Sequence, residues 1–414
     1  MKLPDLSHLP QPSERAIALH VTPAAERAIR RGHPWLFDHA IVKQARQGSP
    51  GDLAVVFDRR NRFLAVGLYD PRSPIRVRIL QPGEQAIINR DWFEERLAEV
   101  ARGRAYLRSE GTTGYRLIHG ESERLPGLVV DRYDQTHVLK LYTPAWIPHL
   151  RRLLPALQAA DPAERLVLRL GRSVQSRPDH LYNLRDGAIL FGADMDGPLI
   201  FCENGLRFEV DPVRGQKTGF FLDQRENRAR VERAAHGRRV LDVFSYTGGF
   251  SVYAARGGAR EVVSLDGSRP ALEAAARNMA LNRDHVSVRA CEHETLAEDA
   301  FEALARMGRE GCRFDLVIVD PPAFARKRDQ ALDALRAYGR LTRLALTVLR
   351  PGGTLVQASC SSRVSAEQFF AAVHRAAAKA GRPLREIERT GHPRDHPVTF
   401  EEGAYLKCLF AAAP

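Results

Sequence analysis

The chain has 414 residues, enough for two or three domains that each bury a core. Apolar residues make up 44% and charged residues 27%, which excludes a disordered or collagenous chain, and no run approaches the roughly 18 apolar residues of a membrane span. Lys and Arg total 62 against 50 Asp and Glu, and the net +12 favours a polyanionic partner through counterion release.

Residues 1–15, MKLPDLSHLPQPSER, lack the apolar core of a signal peptide and read as a loose leader on a cytoplasmic protein. Short strands dominate residues 16–91. LAVVFD, FLAVGLYD and IRVRIL alternate with turns at RRN and DPRSP, as in a small all-β module. Arg59, Arg60, Arg62, Arg72, Arg76 and Arg78 lie on these turns and strands, and RAIRRGHPWLF adds charge beside aromatics. Arginine next to exposed aromatics suits phosphate contact and base stacking.

Residues 92–204 read as a compact α+β segment. A helix is expected over DWFEERLAEVARGRAYLRSE with Asp91 as its N-cap. Two strands around RYDQT, a helix near Trp146–Ala160 and a strand over Arg165–Gly171 complete it.

From 205 to 414 the pattern becomes alternating strands and helices. The strands expected are VLDVF, EVVSLD, VSVRA, FDLVIVD and TLVQASC, separated by helical stretches such as RPALEAAARNMALN and KRDQALDALRAYGRLTRLALTVL. This predicts an α/β, doubly wound and mostly parallel sheet. Such sheets take ligands at the carboxyl ends of their strands.

The polar tips of those strands carry the chemistry. In FSYTGGF, Gly248 and Gly249 sit between a strand and a helix N-terminus, where backbone can approach a ligand and a carboxylate is favoured. Asp266, closing EVVSLD, is placed to accept hydrogen bonds from ribose hydroxyls. The pair indicates an adenosine-type cofactor, a dinucleotide or S-adenosylmethionine. In VDPPAF the prolines end the strand and hold Asp320 rigidly; the turn resembles motif IV of class I methyltransferases, where the loop meets the base to be methylated.

Cys360 follows TLVQAS at the next tip. Methylating C5 of a pyrimidine needs prior attack on C6, which a thiolate performs well. A cysteine in isolation is ordinarily packing, and Cys202, Cys291, Cys312 and Cys408 show no zinc or disulfide spacing. His392 and His396 have the spacing of metal ligands on a helix, but the prolines of HPRDHP argue for a loop and no metal is expected.

The chain resembles the RlmI-type 23S ribosomal RNA (cytosine-5) methyltransferases from about residue 16 to its end. GHPWLF, YRLIHGESERLPGLVVDRYD, KTGFFLDQRENR, FSYTGGF, VDPPAF, SCSS and DHPVTFEEGAYLKCLF carry the resemblance, in order. It implies a Rossmann-like class I methyltransferase domain at 205–414, preceded by a small β-rich PUA RNA-binding domain at 16–91 and the central α+β domain at 92–204. It further implies S-adenosylmethionine as methyl donor, 5-methylcytosine in 23S ribosomal RNA as product and no membrane, and it leaves room for a homodimer. By the same resemblance, Cys360 is the nucleophile, and Asp320 holds the cytosine edge and also borders the cofactor. Ser245, Tyr246, Thr247, Gly248 and Gly249 contact the methionine portion of the cofactor, Asp266 its ribose and Asp299 its adenine, with Gln224 and Arg225 lining the pocket. Where many such enzymes carry a second cysteine after the prolines, Ala323 and Phe324 stand here. Two other functions share parts of the pattern: an RNA or DNA amino-methyltransferase using the same Asp-Pro-Pro loop, and a catalytically inactive ribosome-assembly protein that binds RNA.

Overall fold

A computed structural model of the chain describes residues 4–325 and 328–414; residues 1–3 of the leader and 326–327, with the start of the expected long helix, lie outside them. The chain forms two compact units. The first takes in the chain up to Gly205 with Val210–Leu222 and Arg394–Gly403, and the second comprises Leu206–Glu209, Asp223–Pro393 and Ala404–Pro414.

In the first unit a six-stranded sheet runs in the order Trp35–Phe37, Ile75–Pro82, Phe63–Tyr69, Leu53–Phe57, Ile17–Val21, Ile41–Gln44. Ile17–Val21 and Leu53–Phe57 alternate buried and part-exposed residues, the period-two pattern of a sheet with one covered face. Of the six arginines expected on this module, Arg59, Arg60, Arg62 and Arg72 are exposed, Arg76 is half-buried and Arg78 is buried. A second sheet of five strands, in the order Ile189–Phe191, Arg165–Leu170, Thr136–Leu141, Leu128–Tyr133, Gly114–His119, follows in the chain. One apolar core serves both segments: Leu68 and Leu80 of the first sheet pack in the same cluster as Phe93, Trp146 and Leu150. Leu6 and Leu9, from the segment expected to be loose, are buried in that cluster too.

The helix expected from Asp91 spans Arg90–Arg102 and is capped one position earlier than its first residue. Asn89 is extended and its side-chain oxygen accepts from the Trp92 N–H at 3.0 Å, so Asp91 lies inside the first turn.

The second unit is the Rossmann-like domain. Its strands are β1 (Arg239–Val243), β2 (Glu261–Leu265), β3 (Glu292–Leu296), β4 (Phe314–Val319), β5 (Leu349–Ser359), β6 (Arg385–Thr390) and β7 (Lys407–Ala413). The sheet order is β3-β2-β1-β4-β5-β7-β6, with β1 to β5 mutually parallel and β7 antiparallel to both of its neighbours. Helices Gly249–Arg256, Arg269–Leu281, Ala300–Arg309 and Ala331–Val348 connect the parallel strands.

One expected strand is corrected. VSVRA forms a short helix, Val286–Ala290, and β3 is the following segment, EHETL. The alternating valines imitate a strand, yet Val286 is 71% exposed and only Val288 of the helix is buried. β3 is an edge strand with solvated side chains, so it has none of the apolar signal that marks a buried parallel strand. No helix among the described residues is long and apolar enough to cross a membrane.

Capping predicts a stability difference. Asn89→Ala should lower the unfolding free energy by about 1 kcal/mol, whereas Asp91→Ala should cost less than half of that, in urea titrations of the two variants.

Candidate active site

Register brings the strand tips into one row. Val243 pairs with Leu265 and Val319, Leu265 with Leu296, and Val319 with Gln357, so β1 to β5 end along the same edge of the sheet. Residues 244–249, Asp266, Asp299, Asp320 and Cys360 all follow at that edge.

The β1 tip is a tight turn in a costly backbone. Phe244 (φ 63°) and Tyr246 (φ 48°) are left-handed, a conformation that costs a non-glycine residue roughly 1–2 kcal/mol. Surrounding bonds hold it. The Phe244 and Ser245 N–H groups donate to the Leu265 carbonyl at 2.9 and 3.1 Å, and the Gly248 N–H to the Ser245 carbonyl at 2.9 Å. The Asn278 amide donates to the Thr247 carbonyl at 2.8 Å. Gly248 is left-handed as well (φ 75°), and a Cβ there would lie 2.8 Å from the Ala275 Cβ, so conformation and packing both require glycine. Gly249 then opens the helix Gly249–Arg256.

Asp266 ties this turn to β2. Its Oδ2 accepts from the Tyr246 N–H at 2.9 Å and its Oδ1 from the Ser268 N–H at 2.8 Å. Capping of the helix Arg269–Leu281 belongs to Ser268, which leaves Asp266 to the turn and the sheet edge. Asp299 is exposed and caps the helix Ala300–Arg309, accepting from the Phe301 and Glu302 N–H groups at 2.9 and 3.1 Å.

Asp320 is oriented through a chain of side chains. Gln224 donates to Asp320 Oδ2 at 2.9 Å, Asn227 donates to Gln224 Oε1 at 2.6 Å, and Thr390 on β6 donates to Asn227 Oδ1 at 2.6 Å. Gln224 and Asn227 are buried, so each amide is committed in both of its halves. Arg225, also buried, begins the helix Arg225–Ala234. The Cys360 thiol points at the Pro321 carbonyl, 4.0 Å away, which puts it over the Asp320-Pro321 turn. Phe324 of the same loop packs on Tyr338, whose hydroxyl accepts from Ser359 at 2.8 Å beneath Cys360.

Sequence reasoning passed over Asp242. It lies inside β1, fully buried, and burial pushes its carboxyl up to about 7; Asp320 and Asp266 add repulsion, and a hydrogen bond from Ser251 opposes the shift. Its Oδ1 and the buried Ser245 Oγ have no hydrogen-bond partner among the described residues. A carboxylate inside an apolar strand one turn before a Gly-Gly pair is the signal that could have found it.

A family model for S-adenosylmethionine-dependent methyltransferases matches residues 125–411, and one for PUA-like domains matches residues 19–82. A ribosomal RNA large subunit methyltransferase of Deinococcus radiodurans is 49% identical over 406 residues, covering 97% of this chain and 98% of its own length. Ribosomal RNA large subunit methyltransferase I of Pseudoalteromonas translucida is 36% identical over 400 residues, covering 95% and 98%. Among solved structures, SMU.776 complexed with SAH aligns with a TM-score of 0.80 at 22% identity, covering 95% of this chain and 99% of that one, a likeness of fold.

The residues present fit S-adenosylmethionine. Its sulfonium and ammonium are cations, and the edge offers Asp242, Asp266 and Asp320 with two buried oxygens, Asp242 Oδ1 and Ser245 Oγ, that have no partner among the described residues. The helix N-terminus at Gly249 suits the carboxylate of the same molecule.

Asp242 predicts a pH dependence. Its carboxyl ionises near 4 in the unfolded chain and at about 7 when folded, so folding is opposed increasingly as pH rises from about 4 to 7, and constantly above that. In cofactor-free protein, Asp242→Asn should gain stability over wild type across this interval by on the order of a few kcal/mol, read by urea titration at about pH 4.5 and pH 8. An equal difference at both pH values contradicts the assignment.

Proposed function

The chain belongs to the S-adenosylmethionine-dependent methyltransferases, and we propose that it methylates C5 of a cytosine in 23S ribosomal RNA through a covalent bond between Cys360 and C6. The observation that carries the reading is the Cys360 thiol set over the Asp320-Pro321 turn. The names of the relatives support large-subunit ribosomal RNA as the substrate class, and the net charge of +12 agrees with it. An amino-methyltransferase would use the Asp-Pro-Pro loop but has no need of a thiol on the neighbouring tip.

A stacked base hides C6, so the cytosine enters extruded from its strand. Asp320, oriented by Gln224 and Asn227, holds the polar edge of the ring. Cys360 gives up its proton and the thiolate adds to C6, forming the C–S bond while the C5–C6 electron pair moves toward C5. Bound S-adenosylmethionine supplies an electrophilic methyl group. After methylation the C5–H bond breaks, its proton passing to a base or to water, and its electron pair re-forms the C5–C6 double bond as the C6–S bond breaks and the thiolate leaves. Ser245, Tyr246, Thr247, Gly248 and Gly249 enclose the methionine portion, Asp266 takes the ribose hydroxyls and Asp299 the adenine, with Arg225 lining the pocket. Gln224, committed to Asp320, acts by positioning that carboxylate.

Cys360→Ala should therefore reduce turnover to background while S-adenosylmethionine affinity, read by calorimetry, stays within about twofold of wild type. Nucleoside analysis of ribosomal RNA treated with wild type should give 5-methylcytidine. A methyl group on an exocyclic amine, or turnover by the Cys360→Ala variant, contradicts the covalent route.

A further inference from the structure

Lys407 opens an otherwise apolar strand, β7, and is 3% exposed. Burying an ammonium costs several kcal/mol unless its protons are met. Here three backbone carbonyls meet them: Nζ donates to Ser361, to Val364 at 2.6 Å and to Tyr405 at 3.1 Å. Ser361 and Val364 belong to the turn that leaves β5 immediately after Cys360. Because β7 runs antiparallel to β5 with Lys407 opposite Ser359, the lysine emerges one residue from the thiol.

We infer that Lys407 is a positioning residue of this site: the Cys360–Val364 turn folds around its ammonium, which holds Cys360 as a thiolate within reach of the base. Hydrogen bonding to carbonyls alone does not call for a charge, since a neutral donor or water satisfies them equally. The surroundings of the thiol do call for one. The Cys360 thiol lies over the turn that Asp320 opens, and Tyr338 beneath β5 feels both groups; the carboxylate disfavours a second negative charge nearby, and the phenol, pushed up to about 12 by burial, stays neutral. Among the described residues, Lys407 is a cation set against them. Burial pushes its ammonium down and the Cys360 thiolate offsets part of that, leaving it at about 8 and so largely charged at neutral pH. That coupling is reciprocal, and the ammonium favours the thiolate by the same free energy.

The purpose assigned to Lys407 rests on reading Cys360 as the nucleophile, but its test does not use turnover. The rate of Cys360 alkylation by iodoacetamide, followed by peptide mass spectrometry across pH, gives the ionisation midpoint of that one thiol. In Lys407→Met the midpoint should rise by about one pH unit or more, slowing alkylation about tenfold at pH values well below the wild-type midpoint. A folded variant with the wild-type midpoint overturns the inference, whatever the activity of Cys360→Ala. Should Lys407→Met fail to fold, the thiolate absorbance at 240 nm of wild type minus Cys360→Ala gives the same quantity. A midpoint below the ~8.5 of a free cysteine agrees with the inference, and one at or above it overturns it.

Discussion

Val243 pairs with Val319 and Val319 with Gln357, and every other feature of the site depends on that register. Parallel strands present their carboxyl ends together, so residues far apart in sequence arrive on one edge without any local signal joining them. A slip of one residue in β4 or β5 would turn Asp320 or Cys360 to the opposite face. Both faces are buried, with Leu241, Val243, Val317, Val319 and Leu355 in one apolar cluster and Val240, Leu316, Ile318 and Val356 in another, so a slip would exchange the two sets and misfit the packing on each face.

Having aligned the tips, the fold spends little flexibility on them. Asp320 is steered by a buried Gln224–Asn227–Thr390 chain, the β1 turn is held in left-handed backbone by β2 and Asn278, and the Cys360 turn wraps an ammonium. Each of these arrangements is costly if one partner is missing and rigid when complete. Three carboxylates converge on the same edge, and burial leaves Asp242 on the verge of protonation at neutral pH. That accumulation of negative charge suits a cationic cofactor and works against a thiolate, which is the tension that Lys407 relieves.

The sheet was legible where strands were buried on both faces: VLDVF, EVVSLD, FDLVIVD and TLVQASC are continuous apolar runs with polar tips. β3 was not, because an edge strand needs no apolar run, and the valines of VSVRA drew the reading one segment too early. The tip residues could be named from their strand ends, since proline, glycine and acidic residues punctuate them. Their partners could not. That Gln224 is spent on Asp320 and that a lysine in an apolar strand reaches the Cys360 turn arise from contacts across 96 and 43 positions, while Ser268 caps where Asp266 stands two residues earlier because the helix begins only at Arg269. Asn89 displaced Asp91 as a cap for a smaller reason: the backbone turns helical two residues sooner than an Asp91 cap implied.

The account turns on a covalent bond between Cys360 and a cytosine. Incubating the protein with S-adenosylmethionine and large-subunit ribosomal RNA containing 5-fluorocytidine tests it most directly, because fluorine at C5 cannot leave as a proton does and the adduct persists. The account predicts a denaturation-resistant protein–RNA complex whose cross-linked peptide, by mass spectrometry, carries the nucleotide on Cys360. A cross-link at another residue, or methylation of the RNA with no trapped complex, would contradict it.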